Sequence, residues 1–355
     1  MRSKSELIFI ILFLPSVVAF YLIYKYPLWF VAESEVEQTF YWFGKSTSFW
    51  YNTIYTGLVC SIAGWVLLKG KTPYGKNQKP LSAYQRNKFL SIFISQLLFF
   101  YVIPFFLPVL MGQKSFFGDT YMPPNKDAYV YVYNGFTSLG GFLYVFILVP
   151  ISVWFLGKRY CSWFCACGNL AEAVGVTSWG NRWVTQHTPR GKVARSMEYL
   201  QYAFLGFSLV FGLLLFLDMW KIIAAGELLA SLRAFQDLTV DLAFGALIGV
   251  GAYPFLGTRI WCRYGCPLAG GMRLFGWFSK SKFRVVASDG CKGLNLCTTQ
   301  CPMGIDVASY AHKNGVATQG SFGLHNSPCI GCGGCIDICP VQALSFQKIL
   351  NPGGK

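Results

Sequence analysis

Apolar residues come in long unbroken runs through the first three quarters of the chain, at about 7–25, 50–68, 89–111, 137–156, 199–217 and 238–256. Each run approaches the roughly 20 residues that a helix needs to cross a bilayer. The pattern therefore predicts an all-α membrane part of six spanning helices. From Phe283 onward the runs stop, and Gly, Cys, Pro and short β-prone pieces such as FRVV take over. The expected division is a transmembrane part at 1–282 and a small α+β domain at 283–355. So short a segment cannot rely on a large apolar core, and bound metal is the expected staple.

Charge sorts the loops between the runs. After the second run stand Lys69, Lys71, Lys76, Lys79, Arg86 and Lys88 without an acid, and after the fourth Lys158, Arg159, Arg182, Arg190, Lys192 and Arg195. After the first come Glu33, Glu35 and Glu37, and after the fifth Glu227, Asp237 and Asp241 with few bases. The positive-inside rule puts the 69–88 loop, the 158–198 loop and both termini in the cytoplasm. A multi-pass protein of a prokaryotic cytoplasmic (inner) membrane is expected. The LIFIILFLPSVVAFYLIYKY stretch reads as a retained anchor.

Composition fits a lipid-embedded chain. Of 355 residues, 54% are hydrophobic and 13% charged, with 32 Phe, 20 Tyr and 11 Trp. The net charge of +15 lies in loop clusters, not on a basic face, so nucleic acid is not an expected partner. Thirteen cysteines stand mostly at x2 and x3 spacings, which points to metal ligation and a reducing compartment.

CIGCGGCIDICP gives Cys329, Cys332, Cys335 and Cys339 before Pro340, the C-x2-C-x2-C-x3-C-P run of bacterial ferredoxins. In that run three thiolates hold one cluster and the fourth serves its neighbour. Upstream, CKGLNLCTTQCPMG supplies Cys291, Cys297 and Cys301, with Leu294 where a fourth cysteine would stand. The exchange predicts one complete 4Fe-4S set, Cys301, Cys329, Cys332 and Cys335. A second set, Cys291, Cys297 and Cys339, is one ligand short. It predicts a 3Fe-4S centre, a 4Fe-4S centre with water or another O or N ligand (His312 and His325 are the nearest in sequence), or no centre.

A repeat carries the remaining cysteines. FLGKRYCSWFCACG at 155–168 matches FLGTRIWCRYGCPLAG at 255–270. On a helical turn, Cys161 and Cys165 share a face, as do Cys262 and Cys266. Four thiols at one membrane face suit a third cluster, another metal such as copper or zinc, or dithiols cycling with disulfides. Cys167 is an alternative ligand, Arg159 and Arg263 are the expected counter-charges, and Cys60 reads as a core residue. The following stretches, LAEAVGVTSWGNRW and GGMRLFGWFSKSKF, are expected as amphipathic helices at the interface. Only His187, His312 and His325 occur, none in an apolar run, so a bis-histidine haem is excluded. Glu172, Asp218, Glu227 and Asp237 are candidate proton-handling acids for a quinone, or solvated helix-end residues.

At CSWFC, CRYGCP and the TTQCPMGIDV–CIGCGGCIDICP arrays the chain resembles the membrane-bound polyferredoxin family, over about residues 137–345. That family includes the quinol dehydrogenase membrane subunit of periplasmic nitrate reductase, the nitrous-oxide-reductase regulatory iron–sulfur protein and the cytochrome oxidase accessory iron–sulfur protein. The resemblance implies ferredoxin-type 4Fe-4S clusters. It implies electron transfer between the quinone pool and other subunits or a cytochrome- or ferredoxin-type partner, as the quinol-oxidising subunit of a larger complex. The alternative it implies is copper handling or maturation of a respiratory enzyme. Two departures stand out: Ala166 and Cys167 after the first pair, where the family has proline and a variable residue, and Leu294.

Overall fold

A computed structural model describes residues 3–33, 41–43, 45–75, 79–106, 128–279 and 282–347. Glu35, Glu37, Lys76 and the end of the third apolar run lie outside these residues. The chain is mostly helical, with 68% of the described residues in helices. Among the described residues six helices are long and apolar enough to cross a membrane: Lys4–Ile23, Phe49–Lys69, Ala83–Phe105, Leu139–Trp163, Lys192–Met219 and Gly226–Gly251. Ser3, Ser82 and Ser138 cap helix starts, accepting the amides of Glu6, Gln85 and Gly141. Leu7, Ile8, Ile11, Leu143, Ile147 and Leu148 are exposed outward, as lipid-facing residues should be.

The third helix begins at Ala83, ahead of its apolar run. Its polar first turns are solvated on one face only: Arg86 and Asn87 are exposed, while Gln85 and Lys88 are fully buried under the C-terminal domain. Cys60, expected in the core, is buried, with Sγ 3.8 Å from the Phe93 carbonyl.

The two repeated motifs begin at Gly157 (φ 63°, ψ −150°) and Gly257 (φ 86°, ψ 173°), a backbone region open essentially to glycine alone. At each the helix ends and the chain folds back toward the bundle. Tyr160 comes to hydrogen-bond Tyr144, and Trp261 packs on Gly249 and edge-on to Tyr129, ring centres 5.1 Å apart. Irregular backbone of this kind is tolerated beside lipid only where protein encloses it, and Cys161, Ser162 and Trp261 to Gly265 are all buried. A Cβ at Gly157 would lie 2.5 Å from Phe283 Cδ1, and one at Gly257 2.4 Å from Thr188 Oγ1. Gly157→Ala and Gly257→Ala are therefore expected to cost about 1–3 kcal/mol each, and more where the clash persists. Thermal unfolding checks this against Gly206→Ala, where no neighbour lies within 4 Å.

After each motif a helix follows, Ala166–Val176 and Pro267–Phe278. The second shows a buried face (Leu268, Ala269, Met272, Gly276) and exposed Trp277 and Phe278. The first is not the interfacial helix expected, since Gly168 through Val174 are buried throughout. Its modest polarity serves buried partners, not headgroups.

The C-terminal domain is built on a three-stranded antiparallel sheet. Arg284–Ala287, the FRVV segment, lies between Ser321–Gly323 and Leu344–Phe346, with Val285 opposite both Phe322 and Phe346. Its small core of Val285, Met303, Ile305, Phe322, Ile330 and Leu344 is continuous with that of the helical part. The domain sits on the end of the bundle that carries the cysteine repeat. Gln85 and Lys88 donate to the Cys332 carbonyl at 3.1 and 3.0 Å, Ser162 to the Ile330 carbonyl at 2.7 Å, and Arg190 to the Thr298 and Thr299 carbonyls.

Candidate metal centres

All thirteen cysteines are free of disulfides. Cys329, Cys332 and Cys335 lie on a loop that turns at Gly331 (φ 64°) and Gly333 (φ 78°), where a left-handed backbone favours glycine. Cys301 faces them from the end of the Leu296–Thr299 helix. The four thiols line one cavity of about 360 Å³ with Met303, Ile305, Phe322 and Ile330. The Gly331 amide donates to Cys329 Sγ at 3.4 Å, and the Ile305 and Met303 amides reach the Cys301 sulfur. Burial pushes the Cys332 thiol up to about 12. Four thiols in an apolar space resist ionising on their own, and a polycationic core with amides aimed at the sulfurs supplies what they lack. The donor set fits an iron–sulfur cluster.

Cys297 lies close enough to Cys339 and Cys291 to feel their charge, and the Ala343 amide donates to Cys339 Sγ at 3.4 Å. Leu294 is 54% exposed and contributes no ligand. His312 stands over the same loop, its Nε2 3.2 Å from where a Gly293 Cβ would be, whereas His325 lies against Gly323. His187 is paired with Glu6 at 3.1 Å.

Cys161, Cys165, Cys262 and Cys266 lie in one neighbourhood, where Arg259 bridges the Cys161 carbonyl and the Cys262 side chain. They do not lie there as pairs on one helical turn. The helix Tyr160–Trp163 ends at Phe164, and Cys165 is the residue before the next helix. In the second copy Trp261–Gly265 ends likewise, and Cys266 caps Pro267–Phe278, its Sγ accepting the Ala269 amide at 3.4 Å. The second thiol of each motif thus sits at a helix N-terminus, where amides and the helix dipole favour thiolate. A hydrogen bond from Cys167 and the Gly168 amide hold Cys165 below the ordinary thiol range despite burial.

The counter-charges also differ from expectation. Arg159 is held among Tyr84, Trp163, Phe283 and Phe346, with ring centres 4.9–6.0 Å away, and Arg263 pairs with Glu198 at 2.7 Å. Their charges act on Cys329 and Cys301 of the ferredoxin set, while their neighbours Lys158 and Arg259 serve the inner thiols. Lys158, fully buried, donates to the Cys262 carbonyl at 3.3 Å, and Arg259 donates to the Cys161 carbonyl at 2.9 Å and reaches the Cys262 side chain.

Glu172 is no solvated helix-end residue. Only 5% exposed, it accepts Lys88 at 2.6 Å, Tyr74 at 2.7 Å and an ion pair from Arg259. One carboxylate so links the arginine on the Cys161 carbonyl to the lysine on the Cys332 carbonyl. Lys88, Lys158 and Arg259 outnumber it, and this buried positive excess suits an anionic thiolate-bound cluster between them. Sequence reasoning missed the network because its members lie on segments far apart in the chain. The one available signal was that Lys88 and Arg259 are charged residues at the margins of apolar runs.

Residues 289–344 match the 4Fe-4S dicluster domain family. The chain is 26% identical over 219 residues to the putative electron transport protein YccM of Escherichia coli K12, covering 58% of this chain and 55% of that one. It is 25% identical over 205 residues to the ferredoxin-type protein NapH of Haemophilus influenzae, covering 56% and 65%. With an uncharacterized protein of Methanocaldococcus jannaschii it shares 26% over 204 residues, covering 57% and 69%. The alignments span between 55% and 69% of these relatives' lengths. No solved structure matches the chain. The dicluster domain, the six apolar helices among the described residues and these relatives support an iron–sulfur electron transport protein similar to the membrane polyferredoxin-like proteins.

Proposed function

We propose that this protein relays electrons between the quinone pool and a redox partner through three iron–sulfur centres in single file. The observation that carries the reading is the order of the thiol sets. Cys161, Cys165, Cys262 and Cys266 lie within the bundle. Cys301, Cys329, Cys332 and Cys335 come next, joined to them where Ser162 bonds the Ile330 carbonyl at 2.7 Å. Cys291, Cys297 and Cys339 follow, Cys297 being near enough for its charge to act on Cys335. Bound clusters supply one-electron carriers. The chain's own residues position them: glycine turns admit the sulfurs, amides and Lys158 and Arg259 stabilise negative charge, and aromatic walls exclude water.

In this reading residues 1–282 form the membrane part and 283–355 the ferredoxin domain. Both termini and all three centres face the cytoplasm, and another subunit of a membrane complex or a ferredoxin- or cytochrome-type protein exchanges electrons with the outermost centre. Counting iron and labile sulfide tests the stoichiometry. About eleven or twelve iron atoms per chain are expected, and eight or fewer contradict a third centre. Leu294→Cys is expected to give the second ferredoxin set a fourth thiolate, raise iron content by up to about one atom and abolish any oxidised three-iron resonance. Quantified paramagnetic spectra read this directly.

The contact between Cys165 and Cys167 favours a second reading, in which the paired thiols pass copper or reduce a metal for a respiratory enzyme. Under it Cys161→Ser and Cys262→Ser keep the iron content and lose copper binding.

A further inference from the structure

Inside the bundle lies a cavity walled by the first, second, third and sixth spans. Its lining includes the rings of Tyr21, Tyr51, Tyr55, Phe100 and Trp261. Two of the lining stretches, Ser95–Val102 and Gln236–Gly251, have π-helical backbone, a widened turn that recurs at functional sites.

Within the lining, Tyr129 donates its hydroxyl to Asp241 Oδ1 at 2.7 Å, and Gln236 Nε2 approaches the same oxygen at 3.4 Å. A carboxylate within a membrane span is costly and marks a functional site by default. The lining also includes Cys167, Thr258 and Cys262, so the cavity borders the innermost thiol set. An occupant must enter from lipid, be flat and mostly apolar, and carry an oxygen for the Tyr129–Asp241 pair. To matter to the thiol set it must also be redox-active. A haem ligated by histidine does not qualify, because His187, His312 and His325 all lie outside the spans.

We propose that this cavity holds the ring of an isoprenoid quinone or hydroquinone, one ring oxygen bonded to the Tyr129–Asp241 pair and another edge toward Cys167 and Cys262. The inference rests on the relay reading and gives it a site. Asp241 is none of the acids singled out from sequence for this role; Glu172, first among those, is committed to its ion pairs.

The test is binding of decylubiquinone to the purified full-length protein in detergent, followed by quenching of tryptophan fluorescence. Asp241→Asn removes the charge without changing shape, and Ala246→Phe fills the cavity from a position only 2% exposed. Both are expected to weaken binding by at least about tenfold while iron content and the paramagnetic spectra of the ferredoxin clusters stay unchanged. If Ala246→Phe loses iron, Asp241→Asn alone decides. Wild-type binding that neither variant disturbs overturns the site and leaves the relay standing. A wild-type protein that binds no quinone overturns both.

Discussion

Cys262→Ser is expected to remove about four iron atoms per chain and to cut the two ferredoxin clusters off from the quinone. The reason is geometric. Cys262 belongs to the thiol set buried among the helices, with Cys161, Cys165 and Cys266, and Arg259 reaches its side chain. Serine is a poor iron ligand, and a core held by four thiolates loses one of its anchors. The ferredoxin sets draw on none of these residues, so their resonances should survive in the variant. Iron analysis and paramagnetic spectra of the variant check both halves. Unchanged iron would mean that the four thiols hold no cluster, and the maturation reading would take over.

Glu172→Gln should be the most damaging change away from the cysteines, lowering stability by about 3–5 kcal/mol. Glutamine keeps the shape but leaves Lys88 and Arg259 buried without their shared anion. Burial alone would raise the Glu172 pKa, yet Lys88 and Arg259, helped by hydrogen bonds from Lys88 and Tyr74, bring it down to about 2. A folded-state pKa below the unfolded one stabilises above the unfolded value, so the contribution is present at neutral pH. It is lost as pH falls through the window from the ordinary carboxylate pKa to about 2. Denaturation of wild type and variant across that window should converge at its acid end. Because Lys88 and Arg259 also hold the Cys332 and Cys161 carbonyls, the variant should show altered spectra at both neighbouring clusters.

Much of the architecture was legible before any coordinates. Apolar runs long enough to cross a bilayer admit few other fates, and the C-x2-C-x2-C-x3-C-P array carries its own exchange rule, which agrees with Cys301 lying beside Cys329, Cys332 and Cys335. What stayed hidden was the local geometry of the repeat. A glycine in sequence does not declare a positive φ, so the turns at Gly157 and Gly257 looked like ordinary helix ends. Helical spacing put each cysteine pair on one turn, whereas Phe164 and Gly265 close one helix and Cys165 and Cys266 stand before the next. Lys158 and Arg259, beside the expected Arg159 and Arg263, were not singled out. Long-range charge pairing, as in Lys88, Glu172 and Arg259, leaves no periodic trace at all.

The most direct test mixes the dithionite-reduced protein with a short-chain quinone and follows the return of iron–sulfur absorbance. A relay that starts inside the bundle predicts rapid reoxidation of the wild type and slow reoxidation of Cys262→Ser, although both carry intact ferredoxin clusters. Equal rates in the two proteins would contradict it.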